Sequence, residues 1–539
     1  MRKLLFLLAM MATATVAAQP VYKYWVAFRD KGQSPYSLER PSEFLGPRAL
    51  ERRARLQVPL DSLDLPVSPG YVATLEREGL TVMHCSKWLN GVVAYSRSEL
   101  PQGWRSPSFV QSVTLCEVSP LAKPDSCVPN HGSPLPRFEY DTLFGPDYYG
   151  GAFCQIDQLN GLALHRCGYQ GNGVLVGVCD CGFPGVDTAS LFAHLVSEDR
   201  IVATRDFVWP VENDVYTTHS HGTHALSTMA AFAPGTYVGT APMASYALCR
   251  TENVFGETLL EEYNWVAAAE WLDSLGADII STSLGYFDFT DSLQNHTLTD
   301  LDGHTAPISR GANVAVTRGM VVVVSAGNDG LADPQHLNVP ADAERVLTVG
   351  AVDSVGMRVG FSSYGPTSAG LTKPDVMAMG HRVLSASPDG LFRYTSGTSL
   401  SCPVMAGMMA CLRQRYPNLL PGQLCDSVRA WGNRADSVDS YCGYGIPDFG
   451  RALCSPLATL PVEDRSASFN LFPNPSRGSA MVELPAPGRV EVTDMQGRRV
   501  AVIEKAYTRV SLPTLQRGVY MVRVTMAGQT GSLRWVVAR

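Results

Sequence analysis

Three histidines lie within six positions of one polar stretch, TTHSHGTHALSTMAA, which spans residues 217–231. They are His219, His221 and His224, in a chain that contains 11 histidines. A zinc site of the HExxH type needs a glutamate between two histidines four residues apart, and this stretch offers neither. The pattern instead favours one catalytic base, His221, at the start of a helix, with His224 as a packed neighbour and His219 on the surface. No metal site is predicted here.

Three further side chains follow apolar stretches and have the chemistry that a hydrolytic site needs. Asp180 ends VLVGVCD, where a carboxylate can fix the tautomer of an imidazole. Asn328 follows VVVVSAG, where its amide can donate to a developing oxyanion. Ser399, after Gly397 and Thr398, opens a long helical run whose N-terminus offers free N–H groups and a positive partial charge. Each has an ordinary alternative: a turn for Asp180 and Asn328, and a helix cap for Ser399.

The elements that must position these side chains alternate between strands and helices from about residue 145 onward. Five short apolar runs predict strands buried on both faces, namely VLVGVCD, SYALCRT, DIISTSLG, VVVVSAGN and RVLTVGAV. Between them, ETLLEEYNWVAAAEWLDSLG carries apolar residues at helical spacing. The pattern predicts an α/β domain with a doubly wound parallel sheet, and such sheets bind ligands at the carboxyl ends of their strands.

The order Asp, His, Asn, Ser and the surrounding motifs DCG, HGTH, AGN and GTSLSCP resemble the subtilisin-like serine proteases. Subtilisin is itself the standard example of the order Asp…His…Ser, so the order is recognised here rather than derived. The resemblance covers about residues 145–455. It implies that Ser399 is the nucleophile, His221 the general base and acid, and Asp180 the group that orients His221. It also implies an oxyanion hole formed by Asn328 and the Ser399 N–H group.

The same resemblance implies the nature of the substrate cleft. The motif TSLGY would form one wall, with its backbone pairing with an extended peptide. The wall residues are Thr282, Ser283, Leu284 and Gly285. GTSLS lacks the second glycine of the G-x-S-x-G elbow, which argues against an α/β-hydrolase. Structural calcium is common in the family, but the sequence assigns no ligands to it.

Two residues beside the catalytic motifs have no settled role. Cys181 stands where the family usually has Ser or Thr after the aspartate, and this change is expected to alter the hydrogen bonds around Asp180. Asp329, next to Asn328, is predicted to lie near the specificity pocket and to favour basic or polar substrate side chains.

The residues before 145 predict three segments. Residues 1–18 have a basic start, an apolar centre and small residues before Gln19, as in a secretory signal peptide. Residues 19–120 mix short β-like runs with the helix PRALERRARLQ, whose charged face is expected to be solvated. This α+β region resembles the propeptide of exported proteases, a folding aid and temporary inhibitor, and the alternative is a permanent N-terminal domain. Residues 121–144 are rich in helix and strand breakers and predict a linker.

The residues after 455 predict a second linker, 456–469, and a small all-β sandwich, 470–539. The DMQGRR turn joins two alternating runs, as in a β-hairpin. This tail resembles the C-terminal sorting domain of type IX secretion. It implies a Gram-negative bacterium, transport through the periplasm, and delivery to the cell surface or medium by the type IX machinery. A β-sandwich that binds carbohydrate or protein is the alternative.

Composition narrows the class of protein. The 539 residues predict roughly three or four domains. A formal net charge of −7 without a polybasic tract argues against a nucleic-acid partner. No apolar run after the signal peptide has the length of a transmembrane helix. The 13 cysteines permit disulfides in an exported chain, and their odd number leaves at least one without a partner in the chain.

These observations predict a secreted serine endopeptidase that acts on proteins or peptides through an Asp-His-Ser triad and an acyl-enzyme, with no cofactor required. Two alternatives stay open on the sequence. One is a catalytically silent surface adhesin that keeps the protease fold. The other is an esterase without selectivity for peptides.

Overall fold

The computed structural model describes residues 20–120, 145–454 and 469–538, apart from short internal stretches. Those stretches are residues 33, 102–103, 105, 211–212, 475, 485–486, 495–498, 507–508 and 527–528. The predicted signal peptide, both predicted linkers and the DMQGRR turn therefore lie wholly or largely outside the described residues. The chain divides into two compact units at residue 456.

Residues 20–120 form an α+β region, as predicted. Its described strands are β1 (Pro20–Phe28), β2 (Thr81–Ser86), β3 (Gly91–Ser96) and β4 (Val110–Pro120), and its helices are α1 (Pro47–Leu56) and α2 (Pro69–Arg77). The strands pair antiparallel in the order β2-β3-β1-β4. Val26 and Val92 of the sheet share a core with Leu75 of α2.

The arginine-rich helix α1 corrects the prediction of a solvated face. Arg52 and Arg53 are only 1% and 3% exposed. Both guanidinium groups pair with the fully buried carboxylate of Asp273 in the domain that follows. The prediction was wrong because this carboxylate lies 220 residues beyond Arg53 in the chain, where no local pattern reveals it. Helix α1 is therefore one side of an interface.

Residues 145–454 form the predicted α/β domain. Its described strands are β5 (Leu175–Asp180), β6 (Ile201–Asp206), β7 (Phe232–Ala233), β8 (Tyr237–Val238), β9 (Ser245–Arg250), β10 (Ile279–Thr282), β11 (Val321–Ser325), β12 (Leu347–Val352), β13 (Val376–Met379), β14 (Val383–Ala386) and β15 (Phe392–Thr395). Its described helices are α3 (Pro146–Tyr149), α4 (Phe153–Asp157), α5 (Leu162–Arg166), α6 (Ala193–Ser197), α7 (His221–Ala230), α8 (Leu259–Leu275), α9 (Pro307–Thr317), α10 (Thr398–Arg415), α11 (Pro421–Ala430) and α12 (Arg451–Cys454).

Seven of these described strands form one parallel sheet in the order β13-β12-β11-β10-β5-β9-β6. Every residue of β11 and β12 is buried, which explains their continuous apolar sequences. Helices α8 and α9 share a core with β10 and β11, while α10 lies outside that core and packs along β10 to β13. The strand order reverses at β5 and β10, so a crevice is expected at the carboxyl ends of these strands.

The unit beyond residue 456 is all-β among its described residues. Its strands are β16 (Asn470–Phe472), β17 (Met481–Glu483), β18 (Gly488–Asp494), β19 (Arg499–Ala506), β20 (Arg509–Ser511), β21 (Gly518–Met526) and β22 (Gln529–Val537). They form two sheets, β16-β17-β20 and β19-β18-β21-β22. Val482 of one sheet and Val522 and Trp535 of the other share a single core, as in a sandwich. Strands β18 and β19 pair antiparallel, as the predicted hairpin requires.

The described cysteines form no disulfides. Eleven cysteines of the described chain are free thiols, most of them buried or half-buried. The apolar cysteines thus act mainly as small core residues. Within the described ranges, no helix combines the length and apolar character needed to cross a bilayer.

Candidate active site

The predicted catalytic side chains meet at the carboxyl edge of the central sheet. Asp180 is the last residue of β5, and Asn328 follows β11 by three residues. His221 is the first residue of α7, and Ser399 is the second residue of α10. Helices α7 and α10 pack against each other. The hydrogen bond from His221 to Asp180 holds the start of α7 at the end of β5, and the one from Ser283 to the Ser399 carbonyl holds the start of α10 just beyond β10.

A hydrogen bond joins His221 to Asp180. The imidazole Nδ1 lies 2.8 Å from Asp180 Oδ1, with the aspartate fully buried and the histidine side chain 31% exposed. Glycine after His221 is required for this approach. A Cβ at Gly222 would lie 2.3 Å from the Gly182 carbonyl oxygen and 3.0 Å from Asp180 Cβ. Only a residue without a side chain lets the start of α7 come so close to the end of β5.

Electrostatics favour a charged imidazole at this position. Burial disfavours the protonated ring, but the charge and hydrogen bond of Asp180 outweigh it and raise the pKa of His221 to about 9. When it is ionised, Glu252 acts in the same direction. The site therefore stabilises an imidazolium, which is the form that a general base reaches after it accepts a proton.

Ser399 and Asn328 face a common space. The N–H and Oγ1–H groups of Thr398 donate to Asn328 Oδ1 at 2.9 and 3.1 Å, which identifies the oxygen of the amide and turns Nδ2 away from them. A Cβ at Gly397 would lie 2.8 Å from Ser399 Oγ and 3.8 Å from Asn328 Nδ2. Among the described residues, no hydrogen bond joins Ser399 Oγ to His221, and such bonds often tighten only in a substrate complex.

The predicted cleft wall follows β10 directly. Thr282 is buried, and its hydroxyl accepts from Trp265 Nε1 at 3.1 Å. The Ser283 hydroxyl donates to the Ser399 carbonyl at 2.8 Å, so it holds the start of α10. Leu284 is buried, and a Cβ at Gly285 would lie only 2.7 Å from the Asn338 side chain. These side chains point into the protein, and pairing of the wall backbone with a peptide stays a prediction.

The remaining predicted neighbours occupy distinct places. His224 Nδ1 lies 2.9 Å from Ser385 Oγ, and burial lowers its pKa to about 4. His219 is exposed, and its Nδ1 accepts the His221 N–H at 3.3 Å. Asp329 is half-buried, and its N–H donates to Ser363 Oγ at 2.9 Å. Its predicted role in substrate selection stays a prediction.

Sequence reasoning missed two residues near Asp180, namely Thr251 and Glu252. Thr251 follows β9 and donates its N–H to the Asp180 carbonyl at 2.9 Å, which brings the next residue, Glu252, to the same edge. Burial, together with the neighbouring carboxylate Glu257, raises the pKa of Glu252 well above its usual range. The sequence carries a signal for Glu252, because it directly follows the predicted strand SYALCRT.

Cys181 supplies the other contacts to the aspartate. Its N–H and its thiol both donate to Asp180 Oδ1, at 2.8 and 3.3 Å. The ligand atoms of Asp180, Cys181 and His221 all lie within 4.8 Å of one another, so this group has the donors to hold a metal ion.

A carboxylate, an imidazole and a serine hydroxyl at the carboxyl edge of a parallel α/β sheet are the groups of a serine peptidase site. Three family models match the chain: the subtilase family over residues 171–445, the Bacteroidota propeptide domain of peptidase S8 over 23–127, and a secretion system C-terminal sorting domain over 470–538. The chain belongs to the subtilase family. The propeptide and sorting domains indicate a secreted or cell-surface protein.

Relatives of known activity support the same family. Subtilisin E of Bacillus subtilis is 32% identical over 292 residues, which cover 53% of this chain and 66% of that protein. Subtilisin DY of Bacillus licheniformis is 31% identical over 284 residues, which cover 52% of this chain and 90% of that protein. The match therefore spans slightly less than two thirds of subtilisin E but most of subtilisin DY.

Solved structures give a more distant likeness. The structure of MycP1 from Mycobacterium smegmatis has a TM-score of 0.45 at 23% identity and covers 56% of this chain and 84% of that one. A protease from Pseudoalteromonas arctica has a TM-score of 0.43 at 22% identity and covers 57% of this chain and 97% of that one.

Proposed function

We propose that this protein is a secreted endopeptidase that hydrolyses peptide bonds with Ser399 as nucleophile, His221 as base and Asp180 as the group that orients His221. The observation that carries the proposal is the 2.8 Å hydrogen bond between Asp180 and His221 at the sheet edge where Ser399 begins the adjoining helix. A silent adhesin has no need of a buried carboxylate that holds a half-buried imidazole.

Acylation follows from the positions of these groups. Substrate binding brings Ser399 Oγ to His221 Nε2, which accepts the proton as Oγ attacks the scissile carbonyl. Asp180 stabilises the imidazolium that results. Asn328 Nδ2 and the Ser399 N–H donate to the oxyanion, aided by the positive end of α10. His221 then donates its proton to the leaving amine, and an acyl-enzyme on Ser399 is formed.

Deacylation repeats these steps with water. His221 accepts a proton from the water that attacks the ester, and the same two donors stabilise the second oxyanion. His221 then returns the proton to Ser399 as the acid product leaves. Every step uses groups of this chain, so we propose that no cofactor takes part in the reaction. Structural calcium stays without assigned ligands.

The substrates proposed are extended peptides or unfolded protein segments. Residues 282–285 run beside Ser399 and offer backbone groups for pairing with a peptide. Asp329, next to the proposed oxyanion donor, is the residue proposed to favour basic or polar substrate side chains. Cleavage of a peptide library tests this point, and equal cleavage after acidic and basic residues would contradict it.

The flanking regions are proposed to control where and when the enzyme acts. The N-terminal region docks on α8, where Glu270 accepts the Ser86 hydroxyl at 2.5 Å and the N–H groups of Lys87 and Trp88 at 2.7 and 3.0 Å. This fixed docking suits a temporary inhibitor that is removed on activation. The C-terminal sandwich is proposed to engage the type IX secretion machinery.

Peptide hydrolysis by active-site variants tests the proposal. The secreted mature protein is expected to cleave a chromogenic peptide, and Ser399→Ala, His221→Ala and Asp180→Asn are expected to lose roughly 10⁴- to 10⁶-fold in kcat, as in subtilisin. The triple variant is expected to lose little more than Ser399→Ala, because the three groups act as a unit.

Two controls separate the alternatives. Circular dichroism must show that each variant keeps the fold of the parent protein. A matched ester and peptide of the same sequence distinguish a peptidase from an esterase. A folded mature protein that hydrolyses neither substrate would support the silent adhesin, and full activity of Ser399→Ala would overturn the mechanism.

A further inference from the structure

Around Asp180 lie donor atoms that could bind a metal ion and that the proposed hydrolysis does not use. Cys181 Sγ lies 3.3 Å from Asp180 Oδ1 and 3.6 Å from His219 Nδ1. His221 Nδ1 reaches the same carboxylate oxygen at 2.8 Å. The second oxygen, Asp180 Oδ2, is buried in a fully buried residue and has no hydrogen-bond partner in the described part of the chain.

We propose that Asp180, Cys181 and His221, with His219 as a fourth ligand, form an inhibitory site for a thiophilic divalent cation such as Zn²⁺ or Cd²⁺. A thiolate, imidazoles and a carboxylate are the ligands that zinc takes in proteins. Calcium and magnesium prefer all-oxygen sites, so these donors select against them.

The contacts of Cys181 Sγ suit a tetrahedral ion. With zinc about 2.3 Å from sulfur and about 2.0–2.2 Å from nitrogen and oxygen, tetrahedral geometry places ligand atoms about 3.3–3.7 Å apart. The two contacts of Cys181 Sγ, at 3.3 and 3.6 Å, fall in this range, whereas His221 Nδ1 and Asp180 Oδ1, which lie 2.8 Å apart, must separate to bind the same ion. His219 is not among the three residues whose ligand atoms lie within 4.8 Å of one another, so its exposed ring must turn and give up the His221 N–H to complete the set. The unpaired Asp180 Oδ2 offers a further oxygen.

Binding at this site would stop the proposed hydrolysis. A cation bound to Asp180 and to His221 Nδ1 replaces the proton that joins them, so the imidazole loses its orientation and its capacity to stabilise a positive charge. The displaced protons, from the Cys181 thiol and His221 Nδ1, pass to solvent. The effect depends on Cys181, because the serine or threonine that is usual at this position in related proteases supplies no thiolate.

Cobalt binding to an inactive form tests the site without reference to catalysis. Ser399→Ala in the full chain is titrated with Co²⁺, which gives a near-ultraviolet charge-transfer band when it binds a thiolate. In Ser399→Ala combined with Cys181→Ser, we expect the band to fall to the background set by the other thiols. In Ser399→Ala combined with His219→Ala, we expect the apparent Kd to rise at least tenfold. The exposed thiols of Cys85, Cys154 and Cys167 are common to all three proteins and set the same background in each. An equal band without Cys181, or no band in a folded protein, would overturn the proposal.

Inhibition of the active protein provides a second readout. Zn²⁺ is expected to inhibit the mature enzyme, and EDTA followed by excess Ca²⁺ is expected to restore activity. The Zn²⁺ concentration that halves the activity is expected to be at least tenfold higher for Cys181→Ser than for the parent enzyme. Each protein is compared with its own activity without zinc. Unchanged sensitivity of this variant would contradict the site. Cobalt binding that depends on Cys181 in a protein without peptidase activity would support the metal site and count against the proposed function alone.

Discussion

Replacing Asn328 with leucine tests the oxyanion hole. The side chain is exposed at the sheet edge, but its oxygen accepts two hydrogen bonds from Thr398, so its loss is expected to lower the free energy of unfolding by about 1–3 kcal/mol. Two donors of Thr398 hold the amide oxygen, which leaves the amide nitrogen as the group that can donate to an oxyanion. Asn328→Leu therefore removes one of the two proposed oxyanion donors and leaves the nucleophile and base in place.

The expected loss of transition-state stabilisation is about 2.7–4 kcal/mol, which is the cost measured for the equivalent donor in subtilisin. It corresponds to a fall in kcat of roughly 10²- to 10³-fold. KM is expected to stay nearly constant because the donor acts on charge that develops only in the transition state. The Thr398 hydroxyl gives a graded comparison. Thr398→Val removes one of the two hydrogen bonds to Asn328 Oδ1, together with the contacts of this hydroxyl with the Gly327 backbone. At about 0.5–1.5 kcal/mol for the bond to Asn328, kcat is expected to fall by about 2- to 13-fold or more.

Steady-state kinetics on one peptide substrate measure both variants, with thermal unfolding as the check on the fold. Thr398→Ser keeps the hydroxyl and serves as the matched control, with kcat expected close to that of the parent. If Asn328→Leu keeps kcat within about threefold, Asn328 is not an oxyanion donor and the assignment is refuted. A large rise in KM at constant kcat would instead make it a substrate-binding residue.

Three further results are expected from the same structure. Because Asp180 raises the pKa of His221 to about 9 and only the neutral imidazole can act as base, kcat/KM is expected to rise with pH toward about 9. In Asp180→Asn, this rise in the pH profile should move to lower pH. A rise at the same pH as in the parent would contradict the assignment. Gly222→Ala is expected to lower kcat/KM by roughly 10²-fold or more, since its Cβ would force α7 away from β5; activity equal to the parent would show that the close approach is unnecessary. Asp273→Asn in the unprocessed chain is expected to lower the free energy of unfolding by about 3–5 kcal/mol, because Arg52, Arg53 and Lys87 lose a buried countercharge. Asp426→Asn, which removes the exposed partner of an ion pair, should cost under about 1 kcal/mol. Similar unfolding temperatures for the two variants would contradict this view of the interface.

The centre of the sheet could be predicted from sequence, but its edges could not. The five predicted apolar runs correspond to β5, β9, β10, β11 and β12, which are continuous buried stretches. The outer strands β6 and β13 were not predicted as strands. Strand β6, IVATRD, is mostly half-exposed and carries charged residues, and β13 has only four residues. Partial burial and short length both weaken the apolar signal on which such predictions rest.

The site was predictable to the extent that its groups belong to local motifs. Each catalytic candidate sits at a strand end or helix start that its own neighbours define, which is why Asp180, His221, Asn328 and Ser399 could be named. Contacts between distant segments carried no such signal. The tie from Ser283 to the Ser399 carbonyl spans 116 residues, and the approach of Cys181 to His219 depends on how α7 meets β5. Such contacts follow from tertiary packing rather than from local pattern.

The most direct test of the central claim is to map the site of labelling by a fluorophosphonate probe. Mass spectrometry of the labelled mature protein is expected to find the adduct on Ser399, and His221→Ala is expected to slow its formation by several orders of magnitude because Oγ loses its base. Labelling of another residue, or labelling of Ser399 at an unchanged rate without His221, would contradict the account.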